Sequence, residues 1–418
     1  IKMNTMNRIM SAFLLTAAVC MPAMSQTVTV FQKNGETVKY KVSDVEKIVF
    51  EGEKPVDETN LLSEKYVPCE AFRNWIDQNL GDGSGYYSLD QAAAYDGTID
   101  ITGKTDITDI TGIEHFTSLT RLVSENVTFP DFDVAALKNL TYLKIVNNSK
   151  CTTLDLSQLV KLETVSLSHD ALTTLKLGNN SVLKTLICDT NMLQDIDLTG
   201  CTSLESFVAS CNNLSNLVLP DSPLKTLAIH TNSNIRSIDV TKVKPTLELL
   251  NVNACGLTEF DPTNCPKLDW LECGQNNLKT LDLSGCPLLT SVRFDNTSIT
   301  EVNLSECVKL QGVYCEYAKL SRLDLSNNPD VNEVNAMGNG LTEINVKGCT
   351  NMGYMNLSEN KFKQVDISDC KNIWLFYCNR CTTSPEIKVW KEFDIANAAT
   401  NGFYCDNGKF VYEFSSEQ

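Results

Sequence analysis

The chain has 418 residues, an ordinary 42% of hydrophobic residues and a formal net charge of −17. A surface this acidic repels nucleic acid and anionic lipid, which excludes both as partners. A chain of this length ordinarily divides into several domains, unless its core grows in one dimension by repetition.

Residues 1–25 read as a signal peptide. Lys2 and Arg8 make a basic start, and the apolar stretch Ser11 to Met24 is too short to span a bilayer. Ala23-Met24-Ser25 supplies a small-x-small cleavage site. Ile1 is not an initiating residue, so Met3 or Met6 is the expected start. Cys20 follows Val19 rather than the small residue a lipobox requires, so plain export is expected and a lipoprotein is not. Cleavage after Ser25 removes two positive charges and takes the net charge from −17 to −19. No later run is apolar enough to cross a membrane.

Residues 26–52 form a small β-hairpin module. TVTVFQK and TVKYKV alternate around an Asn34-Gly35 turn, and EKIVF supplies a third short strand. Residues 53–62 are acidic, contain Pro55 and lack periodicity, as a linker does. Residues 63–117 read as a helix-loop-helix cap. Phe72, Trp75, Ile76 and Leu80 share one helical face, and Ser88 is placed to cap a second short helix, SLDQAAAY. The cap's task is to cover the open end of the first coil.

Residues 118–383 repeat. The first two units, from Leu119 and Leu140, are irregular. Thereafter the leading apolar residue returns at Leu162, Leu183, Leu204, Leu224, Leu247, Leu268, Leu289, Leu310, Val331, Met352 and Ile373. Eight of these ten steps are 21 residues; the others are 20 and 23. Each coil has two alternating halves, so parallel sheets on two faces are expected, with little helix between them. Residues 384–418, with IKVWKEFDI and KFVYEF, depart from the period and form a β-rich C-terminal cap.

Sixteen cysteines remain after Cys20 is removed. Cys201, Cys265, Cys286, Cys307, Cys349 and Cys370 share one phase, the closing position of the second half-repeat, and Asn328 fills that slot elsewhere. The slot therefore asks for a small hydrogen-bonding group. Cys188, Cys273, Cys315 and Cys378 fall at inward leucine positions and act as small core hydrophobes. Rungs about 4.8 Å apart leave ladder disulfides geometrically open but unnecessary, and reduced thiols are expected.

Three chemical motifs can be weighed. The loop LGDGSGYYSLDQ has the shape of a calcium loop, but Leu80 and Gln91 stand where carboxylates are required, so a metal-free turn is expected. Cys378-Asn-Arg-Cys381 lacks a second pair or nearby histidines and reads as core. No nucleophile, zinc or phosphate-loop motif is present. Asp197, Asp282, Asp324 and Asp366 recur once per coil in L-D-L-S and serve the coil, so no catalytic residue, metal or cofactor is expected.

The outward positions of the second half are monotonous; those of the first half vary and enlarge toward the C-terminal end. They include Trp270 and Glu272, Arg293 and Asp295, Tyr314 and Glu316, then Tyr354 and Tyr377. Earlier coils present Thr164, Ser166, Thr185, Ser206 and Ala228 instead. Aromatics and arginine with polar neighbours compose a binding surface; aromatics packing across rungs is the alternative reading.

The 21-residue period with L-x-x-L-x-L-x-x-N/C resembles the leucine-rich repeat family over residues 118–383, which implies a solenoid. The cap resembles that of bacterial leucine-rich repeat proteins, and residues 26–52 resemble a segment of exported Bacteroidetes proteins. The whole is similar to the internalin type of adhesion and recognition module. That resemblance implies an exported, non-catalytic protein, periplasmic or at the cell surface, binding a protein or glycan partner. A structural envelope spacer and a carbohydrate-processing enzyme are the rival readings.

Overall fold

A computed structural model describes residues 27–31, 37–41 and 58–415. The expected signal peptide, the Asn34-Gly35 turn, the EKIVF strand and the linker up to residue 57 lie outside these residues. The chain divides into two units, Ile1–Glu58 and Thr59–Gln418. In the first, β1 (Thr27–Phe31) and β2 (Thr37–Lys41) pair antiparallel, with Thr27 opposite Lys41 and Phe31 opposite Thr37.

The second unit is a parallel β-solenoid with little helix. Its cap holds α1 (Glu70–Asn79) and α2 (Leu89–Ala94). Phe72 and Ile76 of α1 are fully buried, whereas Trp75 and Leu80 only border the core. Ser88 and Gln91 close a reciprocal capping box at the start of α2. Thr59 to Leu62, read from sequence as linker, is built into this cap: Asn60 bridges Ser88, and Leu61 is fully buried. Leu61 donates its N–H to Tyr87 O at 2.8 Å, and an apolar side chain held there cannot act as a tether.

One 15-stranded parallel sheet runs the length of the solenoid, from strand Thr98–Asp100 to strand Phe403–Tyr404. Both end strands lie in segments read as caps. The opposite face was expected to carry a second sheet, but there strands join only in twos and threes. The L-D-L-S aspartates turn the chain as it leaves this face. Asp155, Asp197, Asp282, Asp324 and Asp366 each accept the N–H of the residue two places on, at 2.9–3.0 Å. Asp100, Asn251 and Asn356 make the same Asx turn at the ends of strands in the continuous sheet. The Thr199 hydroxyl and N–H hold the Asp197 carboxyl, and the Ser326 N–H and hydroxyl the Asp324 carboxyl, below the usual carboxylate range.

Two corners per coil turn inside the core, where backbone groups cannot reach water. At the first, Asn276 donates Nδ2 to Cys273 O of its own coil and to Val252 O of the preceding coil, both at 2.9 Å. Its Oδ1 accepts the N–H groups of Cys255 and Leu257 at 3.0 and 2.9 Å. Asn191, Asn212, Asn232, Asn339 and Asn360 repeat the arrangement. Just before each sits a left-handed residue, among them Thr190, Cys211 and Gln275 with φ of 53–56°. That conformation costs about 1 kcal/mol or more outside glycine, and the column offsets it.

The second corner uses the shared cysteine slot. Asn328 donates to Leu304 O and Cys307 O, both at 2.9 Å. Cys286 and Cys349 occupy the same slot as free thiols whose Sγ atoms donate to Pro262 O at 3.3 Å and Leu325 O at 3.4 Å. A small hydrogen-bonding group is what the position uses.

Asp170 breaks the first column. Its Oδ1 accepts the Asn148 N–H at 2.7 Å, but a carboxylate has no N–H for the carbonyls that asparagine satisfies. Burial pushes its pKa up to about 7. An acid raised above its unfolded value of about 3.9 stabilises the fold least when ionised, so stability declines as pH rises from about 4 to about 7. Asp170→Asn should raise stability at pH 8 by about 1–2 kcal/mol, after discounting for partial exposure, and change little at pH 4. Urea midpoints at the two pH values check this; identical midpoints for both proteins at pH 8 would remove Asp170 as a source of pH dependence.

Candidate recognition face

Register along the continuous sheet sets which outward side chains meet. One row reads Leu249, Trp270, Ser291, Gly312, Glu333, Tyr354 and Leu375. The next reads Asn251, Glu272, Arg293, Tyr314, Asn335, Asn356, Tyr377 and Tyr404. Asp295 and Glu316 lie two residues further along their chains. In the earlier coils these rows hold Thr164, Thr185, Ser206 and Thr226, beside Ser166, Ile187, Val208 and Ala228.

The sequence-selected residues form three groups. In the first, Trp270 is 41% exposed and donates Nε1 to Glu272 Oε1 at 3.1 Å. Glu272 accepts Asn251 Nδ2 through its other oxygen at 2.7 Å. In the second, the Arg293 guanidinium lies 4.6 Å from the Tyr314 ring centroid and 3.6 Å from Asp295. Tyr314 leans across Gly312, where a Cβ would come within 3.0 Å of its ring, and donates its hydroxyl to Glu333 Oε2 at 2.7 Å. Burial and that carboxylate push the Tyr314 pKa up to about 12. Glu316 accepts Asn335 Nδ2 at 2.6 Å, and burial raises its pKa.

The third group is aromatic. Tyr354 contacts Trp374 and Tyr377, at centroid distances of 6.3 and 6.5 Å, and Tyr377 stacks on Tyr404 at 5.2 Å. Trp270 and Tyr354 stand four rungs apart, or about 19 Å, so the groups share one face without sharing one pocket. Asp295 was read as outward and available, but it is only 6% exposed. Its carboxylate fills the gap above Gly274, where a Cβ would lie 2.5 Å from Oδ1.

Sequence reasoning passed over Glu333, Trp374 and Tyr404. Glu333 lies one 21-residue step before Tyr354 and could have been found by strict period. Trp374 immediately precedes its strand, outside the alternation that selected the others, and Tyr404 lies in the cap.

Beneath the face, Asp295 Oδ1, Glu316 Oε2 and Asn335 Oδ1 are buried and accept no hydrogen bond from the protein. The calcium-like loop is closed by its own chain: Asp77 accepts the Gly85 N–H through both carboxylate oxygens, at 3.0 and 3.1 Å. Among the described residues no group of three or more His, Cys, Asp or Glu is arranged to hold a metal ion. Nor is any helix among them long and apolar enough to cross a membrane. Cys378 and Cys381 are buried with their sulfurs 3.5 Å apart; Cys378 fills an inward leucine position and Cys381 the asparagine column.

No protein-family model and no curated protein sequence matches the chain. Among solved structures it is similar to the functional domain of InlJ from Listeria monocytogenes, whose structure includes a cysteine ladder. That match has a TM-score of 0.72 and 25% identity over 83% of this chain and 76% of the other. The chain is also similar to the internalin InlF from the same organism, with a TM-score of 0.53, 17% identity, and coverage of 85% and 94%. A third similarity is to the leucine-rich repeat ectodomain of the Arabidopsis receptor kinase HAESA, solved with an IDA peptide hormone ligand. Its TM-score is 0.55, with 16% identity and coverage of 72% and 56%. The fold is thus a leucine-rich repeat solenoid with internalin-type structural neighbours.

The half-buried link between Tyr314 and Glu333 has a spectroscopic consequence. In carbon-13 tyrosine NMR, Tyr314 should remain protonated at pH 11, and Glu333→Gln should lower its pKa by about one unit, since a neutral amide no longer opposes the phenolate. An unmoved Tyr314 titration in that variant would detach the two groups.

Proposed function

We propose that this protein is an exported, non-catalytic recognition module, periplasmic or at the cell surface. It binds a protein or glycan partner on the face that carries Trp270, Arg293, Tyr314 and Tyr354. The observation that carries this reading is the contrast along a single sheet. After Arg121 and Tyr142 in the first coils, the same rows hold threonine, serine, alanine, isoleucine and valine from Thr164 to Ala228, then Trp270, Arg293, Tyr314, Tyr354 and Tyr377 in the later coils. A coil needs only its inward residues to fold, so a run of arginine and aromatics gathered on the outward side of the later coils is best explained by a ligand. The HAESA ectodomain, solved with a peptide ligand, gives a precedent for ligand binding on this fold.

A spacer without a ligand is the second reading, favoured by the stacking of Tyr377 on Tyr404, which lets aromatics serve packing alone. Capture experiments separate the two. Immobilised protein exposed to cell-surface extracts and mucin glycans should retain a partner. The Trp270→Ala, Arg293→Ala double variant should lose at least about tenfold in affinity at unchanged thermal stability. Equal retention by both proteins would move recognition off this face, and retention by neither would favour the spacer.

A further inference from the structure

The row directly ahead of the sheet strands begins as a charge ladder. Lys184 reaches Glu163 at 2.8 Å and Lys225 reaches Glu205 at 2.6 Å, each spanning adjacent coils. Toward the C-terminal end the row changes to Asn332, Gly353 and Trp374, and the ladder stops.

Gly353 makes room for an indole in the wall of a cleft. Its backbone is not left-handed, so the glycine is not required by the chain path. A Cβ there would lie 2.8 Å from Trp374 Nε1, so the indole lies across the space that any other residue would occupy. The cleft holds about 560 Å³ and opens between Asn332, Glu333, Asn351, Tyr354, Asn372 and Trp374. That is a small-molecule volume.

Its walls are specific in kind. Trp374 is 66% exposed, more than any other large hydrophobic residue among those described, although it stands beside Tyr354. An exposed indole of that size is costly to leave in water unless a flat apolar surface covers it. The polar wall consists of three short amides and one carboxylate. Asn372 is pinned by donating to Thr350 O at 2.8 Å, and Glu333 is held at the rim by the Tyr314 hydroxyl. No lysine, arginine or histidine lines the cleft.

We propose that this cleft is a subsite for one neutral pyranose of a glycan chain. The apolar C–H face of the sugar covers the Trp374 indole. Its hydroxyls, each both donor and acceptor, match the amides of Asn332 and Asn351 and the carboxylate of Glu333. A peptide side chain would want a deep dry pocket, whereas the apolar surface here is mainly ring face. The acidic rim and the absence of a basic lining residue select against sialylated or sulfated sugars. The proposal rests on the recognition reading above and narrows its ligand class.

The test is isothermal titration of the purified chain with cellotriose, maltotriose and triacetylchitotriose, with sialyllactose as the anionic control. At least one neutral trisaccharide should bind saturably in the millimolar range or tighter. Trp374→Ala and Gly353→Val, which remove the plate and displace it, should each weaken it about tenfold or more. Val160→Ala, an exposed change that touches neither the recognition face nor the cleft, should bind as the parent does. Sedimentation runs alongside, because an association that Trp374→Ala abolishes would assign the indole to a second copy of the chain and overturn the sugar subsite. Absence of neutral-sugar binding, undiminished binding by both cleft variants, or equal binding of sialyllactose would also overturn it. Partner capture lost on Trp270→Ala, Arg293→Ala would still uphold the broader recognition reading, so the two can fail separately.

Discussion

Backbone satisfaction at the coil corners is the constraint on which the rest of this solenoid depends. A parallel sheet pairs its own strands, but each turn between faces leaves N–H and C=O groups facing a dry interior. Asn276 and its equivalents answer at the first corner with a group that both donates and accepts. At the second, asparagine or cysteine suffices, because one donor to a carbonyl is needed. Unpaired buried polar groups cost about 1–3 kcal/mol each, more than the left-handed residue ahead of each first-corner side chain. The strain and the hydrogen bonds form one device.

With the corners fixed, register follows, and register turns a list of outward residues into rows. The rows let Tyr314 of one coil meet Arg293 behind it and Glu333 ahead of it. They also let a single missing side chain, at Gly312 or Gly353, act at a distance of one rung. One glycine makes room for a phenol to reach a carboxylate, and the other makes room for an indole in the wall of a cleft. Composition of the face and shape of the face are thus set by different residues.

Much of this was legible in the sequence, for reasons that differ by residue. The inward leucines announce themselves by period, and the interchange of Asn328 with cysteine discloses the chemistry of its slot. The recurring aspartate of L-D-L-S was traceable to the coil itself, although its turn-forming role required geometry, as did the broken second face. Asp295 alternates outward in sequence yet is buried, because Gly274 lets its carboxylate fold down over the neighbouring coil. Trp374 escaped notice because alternation describes strands, and it stands one residue outside one. The first strand, Thr98–Asp100, was hidden by isoleucines in place of leucines and by the irregular spacing that follows.

The corner bonds also have a direction. Asn276, Asn339 and Asn360 each donate to a carbonyl 24 residues earlier, and none donates forward. Every coil is therefore completed by the coil that comes after it. The last one is completed by the C-terminal segment, where Asn407 donates to Cys381 O and Thr383 O at 2.7 and 2.9 Å. A growing chain would carry one unfinished edge until the segment around Asn407 has been made and seals it. Shortening the array by whole repeats from within would leave that seal intact, whereas losing the segment around Asn407 would not.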